Sequence, residues 1–278
     1  MTHEHIPGLD LNNGVRIPQL GYGVFQIPAE HTQQAVESAL EAGYRHIDTA
    51  AAYRNEAAVG AAVAASGLAR EDLFITTKLR NGDQGRAREA FEESRSALGL
   101  DQIDLYLIHW PVPSQGLYLQ AWREMEQIYS EGLVRAIGVS NFLPDHLEEL
   151  LGEAAVPPAV NQIELHPTFQ QQALADTSRR HGMAVEAYSP LGQGEDLDNA
   201  AVAQISQRHG ATPAQVVLAW HLASGNIVIP KTATPERMRE NLGALSVELS
   251  PRDMEQINEL DAGRRLGADP ATASFSQY

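Results

Sequence analysis

The feature that most constrains this chain is a rhythm. Short apolar, β-branched runs recur roughly every 25–35 residues, the length of one strand–helix unit, and mostly a single helical stretch separates them. Counted from Leu20-Gly21-Tyr22-Gly23-Val24, there are eight such runs. The others are 46–50, 73–79, 104–109, 135–139, 159–164, 184–187 and 227–230. Eight strand–helix units in series predict a (β/α)₈ barrel rather than an open sheet. Gly43 and Gly99 stop the helices before them, and Thr212-Pro213, Thr234-Pro235 and Ser250-Pro251 open later ones. Asn13-Gly14, between two short extended runs in 9–18, predicts a hairpin before the barrel. The tail 262–278 has no clear period and is long enough to cross the barrel mouth. With no linker or internal repeat, residues 1–278 are expected to form one barrel domain.

In a barrel of parallel strands, chemistry sits where the strands end. Three successive runs end in ionisable groups: His46-Ile47-Asp48 with Tyr53 just beyond, Thr76-Thr77-Lys78, and Leu107-Ile108-His109. A lysine in an apolar strand needs a partner, because a lone buried ammonium is costly. Asp48 is the nearest candidate. The pair alone has a plain structural reading as an ion pair. Tyr53 adds a phenol, whose proton is easier to lose beside a positive charge. Asp48, Tyr53, Lys78 and His109 together therefore suggest one proton-transfer site, with Tyr53 as acid and base and His109 orienting a carbonyl oxygen. Protonating a carbonyl oxygen while hydride reaches its carbon suits this set. A nicotinamide must then supply the hydride, since no side chain can.

The composition removes several other chemistries. Cysteine is absent, which excludes disulfides and thiolate metal centres. A formal charge of −16 argues against nucleic acid and anionic membranes as partners. No apolar run reaches the roughly 20 residues of a membrane span, and Met1–Asp10 has no signal-peptide core, so a cytoplasmic monomer is expected. Gly21-x-Gly23 lacks the third glycine of a Rossmann fingerprint, because Gln26 stands there; a dinucleotide must be held otherwise. The segment from Lys231 to Asn241 carries a local basic cluster. Arg237 falls in the first turn of a helix opened by Thr234-Pro235, where a cation is unfavourable unless an anion offsets the dipole. By itself this cluster also reads as a solvated basic face.

These motifs resemble the aldo-keto reductase family, and within it the bacterial members akin to 2,5-diketo-D-gluconic acid reductase. The resemblance rests on Leu20–Gly23, on Gly43–Ala50 with Tyr53 and Asn55-Glu56, on Thr76–Leu79 and on Asp104–Pro111. It continues through Gly138–Phe142, Asn161–Glu164, Ser189–Gly192 and Ile229–Thr232. It implies a catalytic tetrad of Asp48, Tyr53, Lys78 and His109, and an NADPH/NADP+ cofactor lying extended over the barrel. By the resemblance, Ser140, Asn141 and Gln162 hold the carboxamide and Tyr188 stacks on the nicotinamide. Ser189, Leu191 and Gln193 line the pyrophosphate, Lys231, Thr232 and Arg237 clamp the 2′-phosphate, and Glu240 and Asn241 meet the adenine. Small-molecule carbonyl substrates would meet Phe25, Tyr53, His109 and Trp110, with Trp122 and the tail near Ser274-Phe275 as further candidates. Arg80 stands where many relatives carry tryptophan, and either faces the pocket or pairs with an acidic loop residue. The short segment 192–199 implies a loosely strapped cofactor. Two other readings stay open: a metal- or phosphate-dependent barrel lyase, with Glu164 and His166 as its nearest ligands, and a non-catalytic NADPH-binding sensor or partner subunit. No metal is expected.

Overall fold

Two glycines in the first barrel strand show what the Gly21-x-Gly23 spacing is for. A Cβ on Gly21 would lie 2.5 Å from His46 Nδ1, and one on Gly23 would lie 3.0 Å from the Ile229 carbonyl oxygen. The glycines let neighbouring barrel residues close in. They belong to a computed structural model that describes residues 6–276. Met1–His5, and with them half of the N-terminal stretch read above, lie outside the described residues, as do Gln277 and Tyr278.

Strands β1 (Gly8–Asp10) and β2 (Arg16–Pro18) pair antiparallel around Asn13-Gly14, as the turn chemistry predicts. The barrel follows as β3 (Tyr22–Gly23), β4 (His46–Asp48), β5 (Phe74–Leu79), β6 (Ile103–Ile108), β7 (Val134–Ser140), β8 (Val160–Glu164), β9 (Ala184–Tyr188) and β10 (Ile227–Val228). Each pairs in parallel with the next. A parallel bridge from Leu20 to Val228, with Gly21 N–H donating to the Val228 carbonyl at 2.8 Å, closes the ring. The (β/α)₈ expectation holds, with the hairpin ahead of it.

Helices α1 (Ala29–Ala42), α2 (Glu56–Ala65), α3 (Ala87–Leu98), α4 (Tyr118–Ser130), α5 (Pro144–Glu153), α6 (Gln172–Arg180), α7 (Ala200–His209), α8 (Pro213–Ala223), α9 (Pro235–Leu242) and α10 (Pro251–Asn258) complete the order. Gly43 ends α1 at φ +118°, its N–H bonded to the Ala39 and Leu40 carbonyls. Thr212 and Ser250 close capping boxes with Gln215 and Asp253. Helix α6 starts only at Gln172. Gln171 is left-handed at φ +46°, and the Gln170 side chain leaves the helix to bond the Pro167 and Ile257 carbonyls.

The apolar core lies mainly between the strands and their helices, where Val36, Phe91, Trp122, Met125 and Ile128 are buried. A second cluster plugs the barrel floor. Leu11 and Ile17 of the hairpin region pack there with Phe74, Leu105, Val160 and Ile227. The upper interior is polar, holding His46, Asp48, Thr76, Lys78, Gln162 and Glu186, all buried. The site therefore sits above an apolar plug and inside a rigid ring.

Two helical glycines test this packing in opposite directions. A Cβ on Gly60 in α2 would fall 2.2 Å from the Leu98 carbonyl oxygen, whereas one on Gly152 in α5 meets nothing within 4 Å. Gly60→Ala should cost about 1–3 kcal/mol by overpacking, and Gly152→Ala should gain roughly 0.5–1 kcal/mol from helix propensity. Urea unfolding of both variants checks the signs, and equal effects would contradict the α2–α3 contact described.

Candidate active site

Parallel register sets the polar strand ends side by side. Asp48 pairs with Thr76, Ser140 with Gln162, and Gln162 with Glu186. Lys78, fully buried, donates to Asp48 Oδ1 at 2.6 Å and to the Thr49 carbonyl at 2.9 Å. The other Asp48 oxygen accepts from Gln162 Nε2 at 2.9 Å. Beyond β4 the chain makes one 3₁₀ turn, Ala51–Tyr53, and leaves it through Arg54 at φ +57°. That turn brings the Tyr53 ring centroid to 5.2 Å from Lys78 Nζ and 5.7 Å from the His109 ring, edge to face. Burial first, and the Lys78 charge second, hold the His109 pKa well below the usual range. Its imidazole is thus neutral, with one N–H to give and one lone pair.

Strand β7 ends where Asn141 turns left-handed at φ +64°. Its Nδ2 donates to the His109 carbonyl at 3.0 Å and to Ser140 Oγ at 3.1 Å, and its Oδ1 accepts from the Tyr188 hydroxyl at 2.7 Å. Burial raises the Tyr188 pKa far above its ordinary value, so this phenol stays a donor. The Ser140 hydroxyl donates to the Gln162 carbonyl at 2.9 Å.

A continuous cavity of about 920 Å³ runs over these groups. Its lining includes Phe25, Tyr53, His109 and Trp110, with Phe275 of the tail. Trp110 and Phe275 meet edge-on at 5.1 Å. Asp48, Ser140, Asn141, Gln162, Tyr188, Ser189, Leu191 and Gln193 line it as well, and so do Lys231, Thr232, Arg237, Glu240 and Asn241. Ser189 and Gln193 take φ of +49° and +53°. Lys78 lies beneath Asp48 and does not line the cavity. Arg237 stands in the first turn of α9. Thr234 occupies the expected cap position but gives no side-chain cap; its own N–H bonds Thr232 Oγ1 at 3.1 Å.

Four candidates land elsewhere or differently. Trp122, on the inner face of α4, is buried with its indole N–H on the Val156 carbonyl at 3.2 Å, so it packs the core and does not line the cavity. Arg80 forks onto Asp83 at 2.8 and 3.2 Å, the acidic-loop alternative. Glu164 and His166 do not stand ready for a metal. Among the described residues no group of three or more His, Asp or Glu could hold one. Instead His166 bridges Asp196 Oδ2 at 2.9 Å and Glu164 Oε1 at 3.2 Å. Glu164 also accepts the N–H groups of Leu266 and Gly267 at 2.6 and 2.8 Å. This hub ties the end of β8 to the 192–198 turn and to the tail that crosses the cavity mouth. The short segment expected to strap loosely is itself pinned. Neither the hub nor Glu186 was singled out for these contacts from the sequence. The one available signal was an acid inside the apolar run Ala184–Tyr188.

A model of the "Aldo/keto reductase family" matches residues 19–262. An aldo-keto reductase of Mycolicibacterium smegmatis is 51% identical over 272 residues, covering 97% of this chain and 99% of that one. The methylglyoxal reductase DkgA of Yersinia pestis is 48% identical over 266 residues, covering 95% and 96%. The crystal structure of a Gox0644 variant in complex with NADPH superposes with a TM-score of 0.93 at 42% identity, covering 98% of this chain and 100% of that one.

The hub has a pH signature. Burial works against a charged His166, but the hydrogen bonds to Asp196 and Glu164 outweigh it and lift the pKa from 6.5 to about 9. A folded-state pKa above the unfolded one means the stabilisation is complete below about pH 6.5 and is lost as pH rises through about 9. The wild-type Tm should fall across that window more steeply than that of His166→Gln. Glu186, raised from 4.5 to about 8, also loses stabilisation as pH rises, but it is present in both proteins and cancels. Parallel Tm curves would remove the hub's charge from the account.

Proposed function

We propose that this chain, which belongs to the aldo/keto reductase family, carries out its NADPH-dependent carbonyl reduction with Tyr53 as proton donor. The carrying observation is the meeting of Tyr53 and His109 over the buried Lys78 in a cavity that Lys231 and Arg237 also line.

The cavity residues suit the cofactor. A chain of net charge −16 places two cations and an uncapped helix start along the groove, the chemistry a 2′-phosphate requires. Lys231, Thr232 and Arg237 are the groups we assign to that phosphate, Glu240 and Asn241 to the adenine, and Ser189, Leu191 and Gln193 to the pyrophosphate. Tyr188 flanks the nicotinamide, and Ser140, Asn141 and Gln162 surround its carboxamide. Bound there, NADPH supplies the hydride.

The rest is done by the chain. His109, neutral, donates a hydrogen bond that holds the substrate oxygen near Tyr53. The Tyr53 hydroxyl gives that oxygen its proton as the carbonyl carbon is reduced. The ammonium of Lys78 stabilises the phenolate left behind, and Asp48 keeps the ammonium charged and in place. In the oxidative direction Tyr53 takes the proton back. Phe25, Trp110 and Phe275 form an apolar rim of a size for small dicarbonyls and keto-sugars. The methylglyoxal reductase relative makes methylglyoxal the first substrate to try, with 2,5-diketogluconate beside it. We read the protein as a monomer acting on a free small molecule; among the described residues no helix is long and apolar enough to cross a membrane.

Tyr53→Phe should lower turnover by about 10²–10⁴ while leaving NADPH affinity within about twofold, the loss typical of removing a general acid. Near-normal turnover would overturn the proton-donor assignment. Arg237→Ala should weaken NADPH by about tenfold or more, the worth of a charge-assisted hydrogen bond, and NADH hardly at all. Titration of both dinucleotides decides it, and equal weakening would remove the 2′-phosphate role.

A further inference from the structure

Glu186 is a fully buried acid inside the barrel that the mechanism above does not use. It stands beside Gln162 in register on the adjoining strand. Gln162 Nε2 donates to Glu186 Oε2 at 3.0 Å and to Asp48 Oδ2 at 2.9 Å. A primary amide nitrogen has two hydrogens, and both are therefore committed to carboxyl oxygens. Turning the amide over would set its oxygen against two carboxyl oxygens, so the orientation is fixed by what flanks it. The remaining polar atom of the side chain, Oε1, is left as an acceptor on a residue that lines the cavity.

The neighbouring amide is differently placed. Asn141 has both Nδ2 hydrogens and its oxygen engaged within the protein. Ser140 has given its hydroxyl hydrogen to the Gln162 carbonyl. Asn141 Oδ1 and Ser140 Oγ each already accept one hydrogen bond, whereas Gln162 presents to the groove an acceptor that takes none among the described residues.

We propose that Glu186 is a positioning residue: it locks the Gln162 amide with its oxygen toward the nicotinamide, so that the site selects a carboxamide by its NH₂ group. The inference rests on the cofactor reading above. Asp48 cannot do this alone, because it leaves one amide hydrogen unbound and the side chain free to swing about its single contact. Desolvation, then the nearby Asp48 charge, raises the Glu186 pKa. Its Oε1 faces His46 Nε2 at 3.6 Å, an imidazole that burial holds neutral. Lys78 keeps Asp48 as its ion-pair partner at 2.6 Å.

The test compares NADP+ with its 3-acetylpyridine analogue, which carries a methyl group where the carboxamide has NH₂. Affinities are measured by calorimetry, with 2′-phospho-ADP-ribose as a probe of the groove around Lys231 and Arg237. Wild type should prefer NADP+ by about fivefold, the worth of one neutral hydrogen bond. Glu186→Gln keeps an acceptor for Gln162 and should keep that preference. Glu186→Leu should reduce it below about twofold while 2′-phospho-ADP-ribose binds as before; Glu186→Met serves if the leucine variant does not fold. A preference unchanged in the apolar variants overturns the proposal, as does a loss shared equally by 2′-phospho-ADP-ribose, which would mark a general structural role. Wild type that binds 2′-phospho-ADP-ribose but does not discriminate the two dinucleotides overturns it while leaving the cofactor reading intact. Failure of wild type to bind any of the three would instead overturn the cofactor reading itself.

Discussion

The buried ammonium of Lys78 is the constraint on which the rest of the site depends. With no exposure to solvent, it is tolerable only because Asp48 and the Thr49 carbonyl stand within 2.9 Å. Removing either charge from such a pair typically costs about 3–5 kcal/mol, because the survivor is left buried alone. That requirement fixes more than one bond. Asp48 must be oriented, and Gln162 does this from β8. Gln162 must be oriented in turn, and Glu186 stands beside it on β9. A single charge at the end of β5 thereby organises polar side chains across much of the ring.

The same charge explains the character of its neighbours. It helps keep His109 neutral, and it lies 5.2 Å from the Tyr53 ring centroid, where it favours the phenolate. The carboxylate and the phenol both come from the end of β4, Asp48 as its last residue and Tyr53 from the turn that follows, so one chain segment brings both to the ammonium. Charge elsewhere in the groove is kept apart from this centre. Lys231 and Arg237 line the same cavity, and Arg80, the basic residue next after the strand, is held by Asp83. An acidic surface leaves those cations few competitors for an anion that enters the groove.

What could be read from the sequence, and what could not, follows the range of the interactions. The strand–helix rhythm, the hairpin and the helix caps depend on residues close in sequence, and the structure reproduces them within a few residues. The tetrad candidates were legible because each ends a strand, and the barrel then brings those ends together whatever lies between. Trp122 shows the opposite case. It sits on α4 at helical spacing from Met125, and that spacing, rather than its chemistry, determines that it is buried. The Glu164–His166–Asp196 hub was opaque, because it joins a strand end to a turn 30 residues later and to a tail about 100 residues on. Nothing in Glu164-Leu165-His166 by itself distinguishes a tether from a metal ligand; the distinction is made by which backbone N–H groups arrive.

Glu186 carries that argument furthest. Read locally, an acid in Ala184-Val185-Glu186-Ala187-Tyr188 is a defect in a buried strand. Read across the barrel, it is the second acceptor of an amide whose first acceptor is already committed to a lysine. A polar interior of this kind contributes little stability, since buried polar groups at best recover what desolvation costs. The stability must come from the apolar floor under Leu11 and Ile17 and from the sleeve of helices outside the ring. With stability supplied there, the upper barrel is free to be arranged for orientation. Each strand then contributes one side chain whose position is set by its neighbours, and the chemistry at the barrel mouth is only as well placed as the least satisfied member of that layer.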